Sequence, residues 1–559
     1  MRLLKYSLIL VLIVTSASSC KKLLDTEPRD VLQEQQMYRD VFDADAAVTG
    51  LYGQFLGLAE RTVVLNELRA DLATTTMNAD QYLRQLNEHN VQADNPYADV
   101  RPYYQVILNC NDILHNFDLM LRDKKLKTQD YTMRYSDVAA LRTWIYLQLG
   151  VQFGKVPYIT QPLSRTFDIN QVRTFPKIEF NQLIDSLVAR MESLPYQQPY
   201  APTASLVTTV DGYGTDRFFV PKKVVMAELY LWKGSYLKAA AAFKEVMETG
   251  AGELFNYRIT GASKADNNDI AVGYVRYREE DENMLVDNNN QGWRSIFARG
   301  QDRLFNYEWV WYLPYDINFK PQNPFVNLFS NKGGAYLVKP SQSAINNWNS
   351  QVQKNDFPYD ARGRVFSYRT INGEPVIMKY LYNYLNGSNF TPINPLEKSG
   401  KWFLYRAASL HLGFAEAANR NNHSYLAYTL VNQGLTTIPG RITNEGFPYN
   451  FDARRSDVPR IVGDWSSNSG IRGRANLYSQ TITGDSTTAI EDGIINEAGL
   501  ELAYEGRRWY DLVRIALRRN DPSFLANKVY DKLKLENNLA AEAVRAKLMN
   551  KDNWYLPFN

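Results

Sequence analysis

From about residue 36 to residue 250 the polar and apolar positions follow a helical period. Apolar side chains recur at spacings of three and four over residues 99–121, 137–153 and 177–194, which predicts amphipathic helices there. The same period returns over 403–419 and 425–435, and a last long helix is predicted over 490–518. Between 251 and 400 the period fades. Asn, Gly, Pro and aromatic residues crowd that stretch, and Asn288-Asn-Asn, Gly333-Gly334 and Asn386-Gly387 read as turns, so loops and short strands are expected. A second irregular excursion, 436–488, separates the 425–435 helix from the final one. Long loops on a compact helical scaffold usually carry function, and the ligand is expected against these two excursions.

The clearest local unit is 224–246. Ala227, Leu229 and Tyr230 precede Gly234 in a turn, and Tyr236, Ala239, Ala240 and Phe243 follow it. This spacing resembles the tetratricopeptide repeat, in which small side chains let two antiparallel helices approach closely. Residues 403–435 read as a second hairpin of the same kind. The expected fold class is therefore mainly α: a tetratricopeptide-like helical-repeat scaffold with long loop and short-strand insertions forming the ligand face. Its paired helices are expected at about 99–250 and 403–435, the loop-rich ligand region at about 251–400, the variable excursion at 436–488 and the C-terminal helices at 490–550. All lie in one domain spanning 36–559.

Residues 1–19 read as a secretory signal peptide: Arg2 and Lys5, an apolar run over 8–14, then small residues through Ser19. Cys20 directly after them resembles a bacterial lipobox, so 20–35 is read as a lipidated N-terminus and tether, with acyl chains at Cys20 holding the body at a membrane surface. Ordinary secretion with an incidental Cys20 is the alternative. The composition adds limits. Lys plus Arg number 63 against 60 for Asp plus Glu, a formal charge of +3, which gives no electrostatic reason to expect nucleic acid as a partner. Two cysteines cannot build a disulfide framework, and four scattered histidines lack metal spacing. Cys110 reads as a small buried hydrophobe. No cofactor and no metal site is expected. Aromatic residues make up 13%, led by 37 tyrosines.

Several segments in order from end to end, from Cys20-Lys-Lys-Leu-Leu-Asp25 through Asn496-Glu-Ala-Gly499 to Trp554-Tyr-Leu-Pro557, resemble the SusD/RagB family, the cell-surface nutrient-binding lipoproteins of Bacteroidetes. Cys20-Lys-Lys-Leu-Leu-Asp25 is similar to its mature start, and Tyr103-Tyr-Gln-Val-Ile-Leu-Asn-Cys-Asn-Asp112 to its early Tyr/Ile/Asn helix. The helix over 139–153 runs into Phe153-Gly-Lys-Val-Pro157, as family members do. Tyr405-Arg-Ala-Ala together with Ala415-Glu-Ala-Ala418, Asn496-Glu-Ala-Gly-Leu-Glu-Leu-Ala-Tyr-Glu-Gly-Arg-Arg-Trp-Tyr-Asp511 and the closing Trp554-Tyr-Leu-Pro557 complete the likeness. Arg472-Gly-Arg-Ala475 departs from it, standing some way further along the chain than the family's Arg-x-Arg-Ala run. The resemblance implies a noncatalytic outer-membrane protein that faces the cell exterior, touches the membrane through its lipid only, and passes a glycan to a SusC-like TonB-dependent transporter. Two alternatives stay open: RagB-like peptide binding for uptake, and a surface glycoside hydrolase.

A hydrolase would need an acid of raised pKa beside a second carboxylate. Glu497, Glu501 and Glu505 stand at i, i+4 and i+8, but Arg507, Arg508 and Arg514 follow, and Glu505 is expected to pair with Arg508, which points to structural ion pairs. Asp287-Asn-Asn-Asn-Gln-Gly292 starts like a calcium loop but has Ala298 where the bidentate Glu belongs. The rings are more informative. Sugar C–H faces stack on aromatic faces while hydroxyls seek amides, carboxylates and guanidiniums. Trp293, Trp311, Tyr312 and Tyr315 are therefore the expected ligand rings, with Tyr312 and Tyr315 more exposed than Trp309. Asn78, Asp80, Tyr82 and Tyr97 form a second wall, on a loop that in relatives precedes the helix bordering the ligand. The body from residue 21 onward is expected to bind an oligosaccharide with a change in tryptophan fluorescence and to leave it uncut.

Overall fold

The structure is a computed structural model, and it describes residues 37–163, 167–247, 293–298, 308–316, 321–354, 356–432, 446–449 and 470–558. The leader, Cys20, the 287–292 run and most of the 436–488 excursion lie outside the described residues.

The N-terminal half is helical. α1 (Val41–Leu56) is capped by the Asp40 carboxylate, and α2 (Ala59–Glu67) follows at once. A short strand β1 (Ala73–Thr75) and α3 (Gln81–Asn87) lie in the loop expected to form the second wall, which leads to α4 (Arg101–Arg122) and α5 (Thr128–Phe153). Then come α6 (Phe180–Glu192), α7 (Lys222–Lys233) and α8 (Tyr236–Met247). Each packs on the one before it along α4 to α8, as expected for stacked hairpins. Gly234 closes α7 in the left-handed region at φ 78°, which is what the repeat spacing requires of that turn.

The second half adds strands to that scaffold. β2 (Trp309–Tyr315), β3 (Val338–Pro340), β4 (Tyr368–Ile371), β5 (Glu374–Ile377) and β6 (Gly400–Arg406) form three antiparallel pairs: β1 with β3, β4 with β5, and β2 with β6. Residues 403–406, read as helix from the sequence, finish β6 instead, and α9 (Ala407–Arg420) starts after them. α9 and α10 (Ser424–Asn432) make the second hairpin, and α9 lies against α8. At that crossing a Cβ on Gly413 would stand 2.6 Å from the Phe243 ring, so only glycine lets the two helices meet. Mainly helical, repeat-like architecture is what the molecule has.

The long C-terminal helix is broken. α11 (Ser486–Glu501) and α12 (Arg508–Arg519) are separated by a turn in which Tyr504 (φ 69°) and Gly506 (φ 78°) leave the helical region. The buried Glu67 carboxylate causes the break by accepting the N–H groups of Tyr504 (3.1 Å), Gly506 (2.8 Å) and Arg507 (2.9 Å). Its oxygens stand at the start of α12, where the first amides of a helix would otherwise lack acceptors. α13 (Pro522–Leu535) and α14 (Ala541–Leu548) close the fold. They brace that same loop of β1 and α3: Lys532 donates to the Leu68 carbonyl and to Asn87, each at 2.9 Å, and Lys547 donates to the His89 carbonyl at 2.6 Å.

Candidate functional site

The expected ligand rings are interior. Trp293, Trp311, Tyr312 and Tyr315 are each 0% exposed, as is Trp309, so the expectation of ligand-facing rings on this stretch is corrected, including the greater exposure expected of Tyr312 and Tyr315. The physical reason is that β2 has no polar residue between Trp309 and Tyr315 and is covered on both faces. Trp311 lies parallel to Phe55 of α1 (5.6 Å, 9°) and meets Trp144 of α5 edge-on, while its indole N–H donates to the Phe218 carbonyl at 2.9 Å. Tyr312 packs edge-on against Phe218, Tyr315 against Phe325, and Trp293 lies under the Arg406 guanidinium at 5.1 Å. These rings join the strand pair to the helical scaffold.

On the other wall, Asp80 caps α3 by accepting from the Leu83 N–H, and the Tyr97 hydroxyl donates to Glu60 at 2.9 Å. Tyr82 is half-buried, its carbonyl held by Asn95. Asn78 is exposed, and its amide donates to the Ala335 carbonyl at 3.0 Å, tying this loop to the turn before β3.

The three glutamates on α11 and after it enter a buried ion network. Glu497 pairs with Arg362 and Arg472, Glu501 with Arg362 and Arg406, and Glu505 with Arg406 and Lys379. Burial works to raise the Glu505 carboxyl, but Arg406 and Lys379 outweigh it and hold the group below the usual carboxylate range. Arg508 does not take Glu505 as expected; it grips Asp71 through two hydrogen bonds of 2.6 and 2.8 Å. Arg472, from the displaced Arg-Gly-Arg run, is also structural, bridging Gln351 and Glu497.

What the structure offers a ligand is a groove over α4. Pro102, Gln105, Val106, Asn109 and Asp112 recur along one face of that helix and form the floor. Gln54 to Leu58 at the end of α1 make one wall, and Leu163, Phe167 and Ile169 the other, enclosing about 610 Å³. Ile169 also lines a neighbouring cleft of about 330 Å³ between Asp94 to Arg101 and the 3-10 turn Ile169–Thr174. The edges are polar and planar. Asn109 donates to Gln54 at 2.9 Å, and Arg101 donates to Asp99 at 2.9 Å and to Asn170 at 3.2 Å. Phe167 is half-buried, edge-on to Phe175 at 5.8 Å, and leaves a ring surface in the groove.

None of the eight residues singled out from the sequence lines this groove; the nearest, Tyr97, lies between the lining residues Pro96 and Asp99. The signal for it was present: α4 is strongly two-faced, and its polar face carries Gln105, Asn109 and Asp112 at i, i+4 and i+7.

Two family models cover most of the chain. The one described as "SusD family" matches residues 346–558, and the one described as "Starch-binding associating with outer membrane" matches residues 23–213. SusD-like protein P2 of Formosa agariphila is 21% identical over 564 residues, which cover 94% of this chain and 95% of that one. Among solved structures, a SusD superfamily protein from Bacteroides vulgatus superposes with a TM-score of 0.59 at 15% identity, over 93% of this chain and 96% of that one. Surface glycan-binding protein A from Bacteroides uniformis gives 0.57 at 15% identity over 92% and 95%. A laminarin-binding SusD-like protein gives 0.55 at 15% identity over 93% and 96%. These likenesses show the fold.

Proposed function

Because the chain belongs to the SusD/RagB family, we propose that it binds a glycan at the bacterial surface in the groove over α4, leaves it uncut, and delivers it to a SusC-like TonB-dependent transporter. The observation that carries the reading is the make-up of the groove. An apolar strip of Phe167, Ile169, Leu163 and Val106 suits the C–H face of a sugar, and amides and an arginine–carboxylate pair stand at its edges for hydroxyls. One of the family models is described as starch-binding, and one structural relative as laminarin-binding, which agrees with a polysaccharide ligand. A noncatalytic role fits Asp99. Burial works to raise its carboxyl, but the Arg101 guanidinium outweighs it and keeps the group ionised, unlike a general acid.

A shallow groove with one ring gives modest affinity, with Kd from about 10 μM to 1 mM. Phe167→Ala is expected to weaken oligosaccharide binding about tenfold, roughly 1.4 kcal/mol. Isothermal titration measures it directly. The tryptophan signal anticipated from the sequence is not expected, since no tryptophan lines the groove. If a broad glycan panel gives no binding while a peptide mixture does, the peptide reading replaces this one. Extended peptides are commonly held at an open strand edge, and no lining residue belongs to a strand.

Anchoring through Cys20 completes the proposal, with the stacked helices facing the transporter, because rigid repeats provide broad contact area. Cys20→Ala is expected to move the protein from the detergent-extracted membrane fraction to the soluble one. Unchanged partitioning in cell fractionation would contradict the anchor.

A further inference from the structure

The charges along the groove say which glycans it accepts. Among the described residues its lining carries three carboxylates, Asp94, Asp99 and Asp112, against two guanidiniums, Arg101 and Arg173. Arg101 is already engaged: it holds Asp99 at 2.8 Å and Asn170 at 3.2 Å. What remains of its fork can donate to a hydroxyl oxygen without displacing Asp99. A carboxylate or sulfate arriving there would have to share that guanidinium with Asp99 and enter a cleft that Asp94 also lines, at the cost of like-charge repulsion. Nor does the rest of the molecule make up for this, since +3 over 559 residues is too weak a field to draw an anion in. At the other end of the groove Gln54, Gln105 and Asn109 are neutral amides, suited to hydroxyls.

We infer that the groove takes an uncharged glycan and discriminates against chains bearing carboxylate or sulfate groups. The inference rests on the groove being the glycan site. It commits the ligand to an uncharged backbone, read by neutral amides and by an arginine whose charge Asp99 already balances.

The test uses the mature protein and a glycan panel in which each neutral backbone stands beside its uronate-bearing or sulfated counterpart, titrated at low ionic strength. The expected result is binding to a neutral backbone, with its anionic counterpart about tenfold weaker or worse and the gap narrowing as salt rises. Asp94→Lys, which makes guanidinium and ammonium groups outnumber carboxylates in the lining, is expected to raise the ratio of anionic to neutral affinity about fivefold or more. Anionic partners that bind as well as neutral ones, or a ratio that Asp94→Lys leaves unmoved, would overturn the inference while leaving the glycan reading standing. A panel with no binding of either kind would bring down the glycan reading and the inference with it.

Discussion

Arg406→Met is expected to destabilise the protein by about 3–5 kcal/mol, the usual result of removing one partner from a buried ionic cluster. Arg406 is 0% exposed. Its guanidinium donates to Glu505 at 2.8 and 3.0 Å, to the Glu501 carboxylate at 2.8 Å and to the Glu501 carbonyl at 2.6 Å, with Glu308 at 3.5 Å. Methionine fills a similar volume, so the loss is mainly electrostatic: Glu501 would keep Arg362 and Glu505 would keep Lys379, while Glu308 would lose the Arg406 guanidinium beside it. Arg406→Lys is expected to fall between, because an ammonium cannot reproduce the fork. Urea unfolding with Arg173→Met as an exposed control decides the matter. A wild-type midpoint for Arg406→Met would mean that the cluster adds nothing net. Where Arg406→Met gives no folded protein, the Arg406→Lys midpoint carries the comparison.

The same cluster gives the most recognisable stretch of sequence, 496–514, a structural role. Its glutamates and arginines join strand β6, the segment 360–379 and helices α2, α7 and α9 to α11 and α12. Charges this far inside, each with several partners, fix which elements meet. Ion pairing was foreseeable from the alternation of signs, but the partners were not. Arg508 lies three residues from Glu505 and 437 from Asp71, and it takes the distant one.

What was legible in the sequence was local. Gly234 between Tyr230 and Tyr236 states its own turn, and α7 and α8 form where the spacing puts them. The pairing of β2 with β6 joins residues about ninety apart, Trp309 with Arg406 and Tyr315 with Gly400, and no local period encodes it. The rings were misjudged for a readable reason: a strand wet on one face alternates polar and apolar residues, whereas Trp309-Val-Trp-Tyr-Leu-Pro-Tyr315 does not alternate at all. The break between α11 and α12 depends on Glu67, more than four hundred residues earlier.

Glu67 also sets the second large expectation, a loss of stability as the pH rises from about 4.5 to 7. Burial pushes its carboxyl up to about 7, and the amides of Tyr504, Gly506, Arg507 and Arg508 only partly offset this. In that window the unfolded chain has released the proton while the folded protein keeps it, so folding is favoured on the acid side and weakens toward neutrality. The shift corresponds to roughly 3 kcal/mol. Asp137, pushed up to about 7 by burial, acts in the same direction, with Lys222 at 4.0 Å as its counter-charge. Two other groups titrate elsewhere. Burial would raise Asp71, but Arg508 holds it at about 2, so its contribution is lost only below the usual carboxylate range. Lys532, lowered to about 7 by burial, favours folding as the pH climbs from 7 toward 10.5. Between pH 4.5 and 7 the buried His89, held well below the usual imidazole range by burial, acts in the opposite direction, so the Glu67 effect is read by denaturant unfolding from the difference between wild type and variant. Glu67→Gln, which keeps one acceptor oxygen for the start of α12, is expected to remove roughly 3 kcal/mol of the fall across that range. A variant whose stability declines with the wild-type slope would mean that Glu67 ionises alike in the folded and unfolded chain, and that the four amides fully solvate its charge.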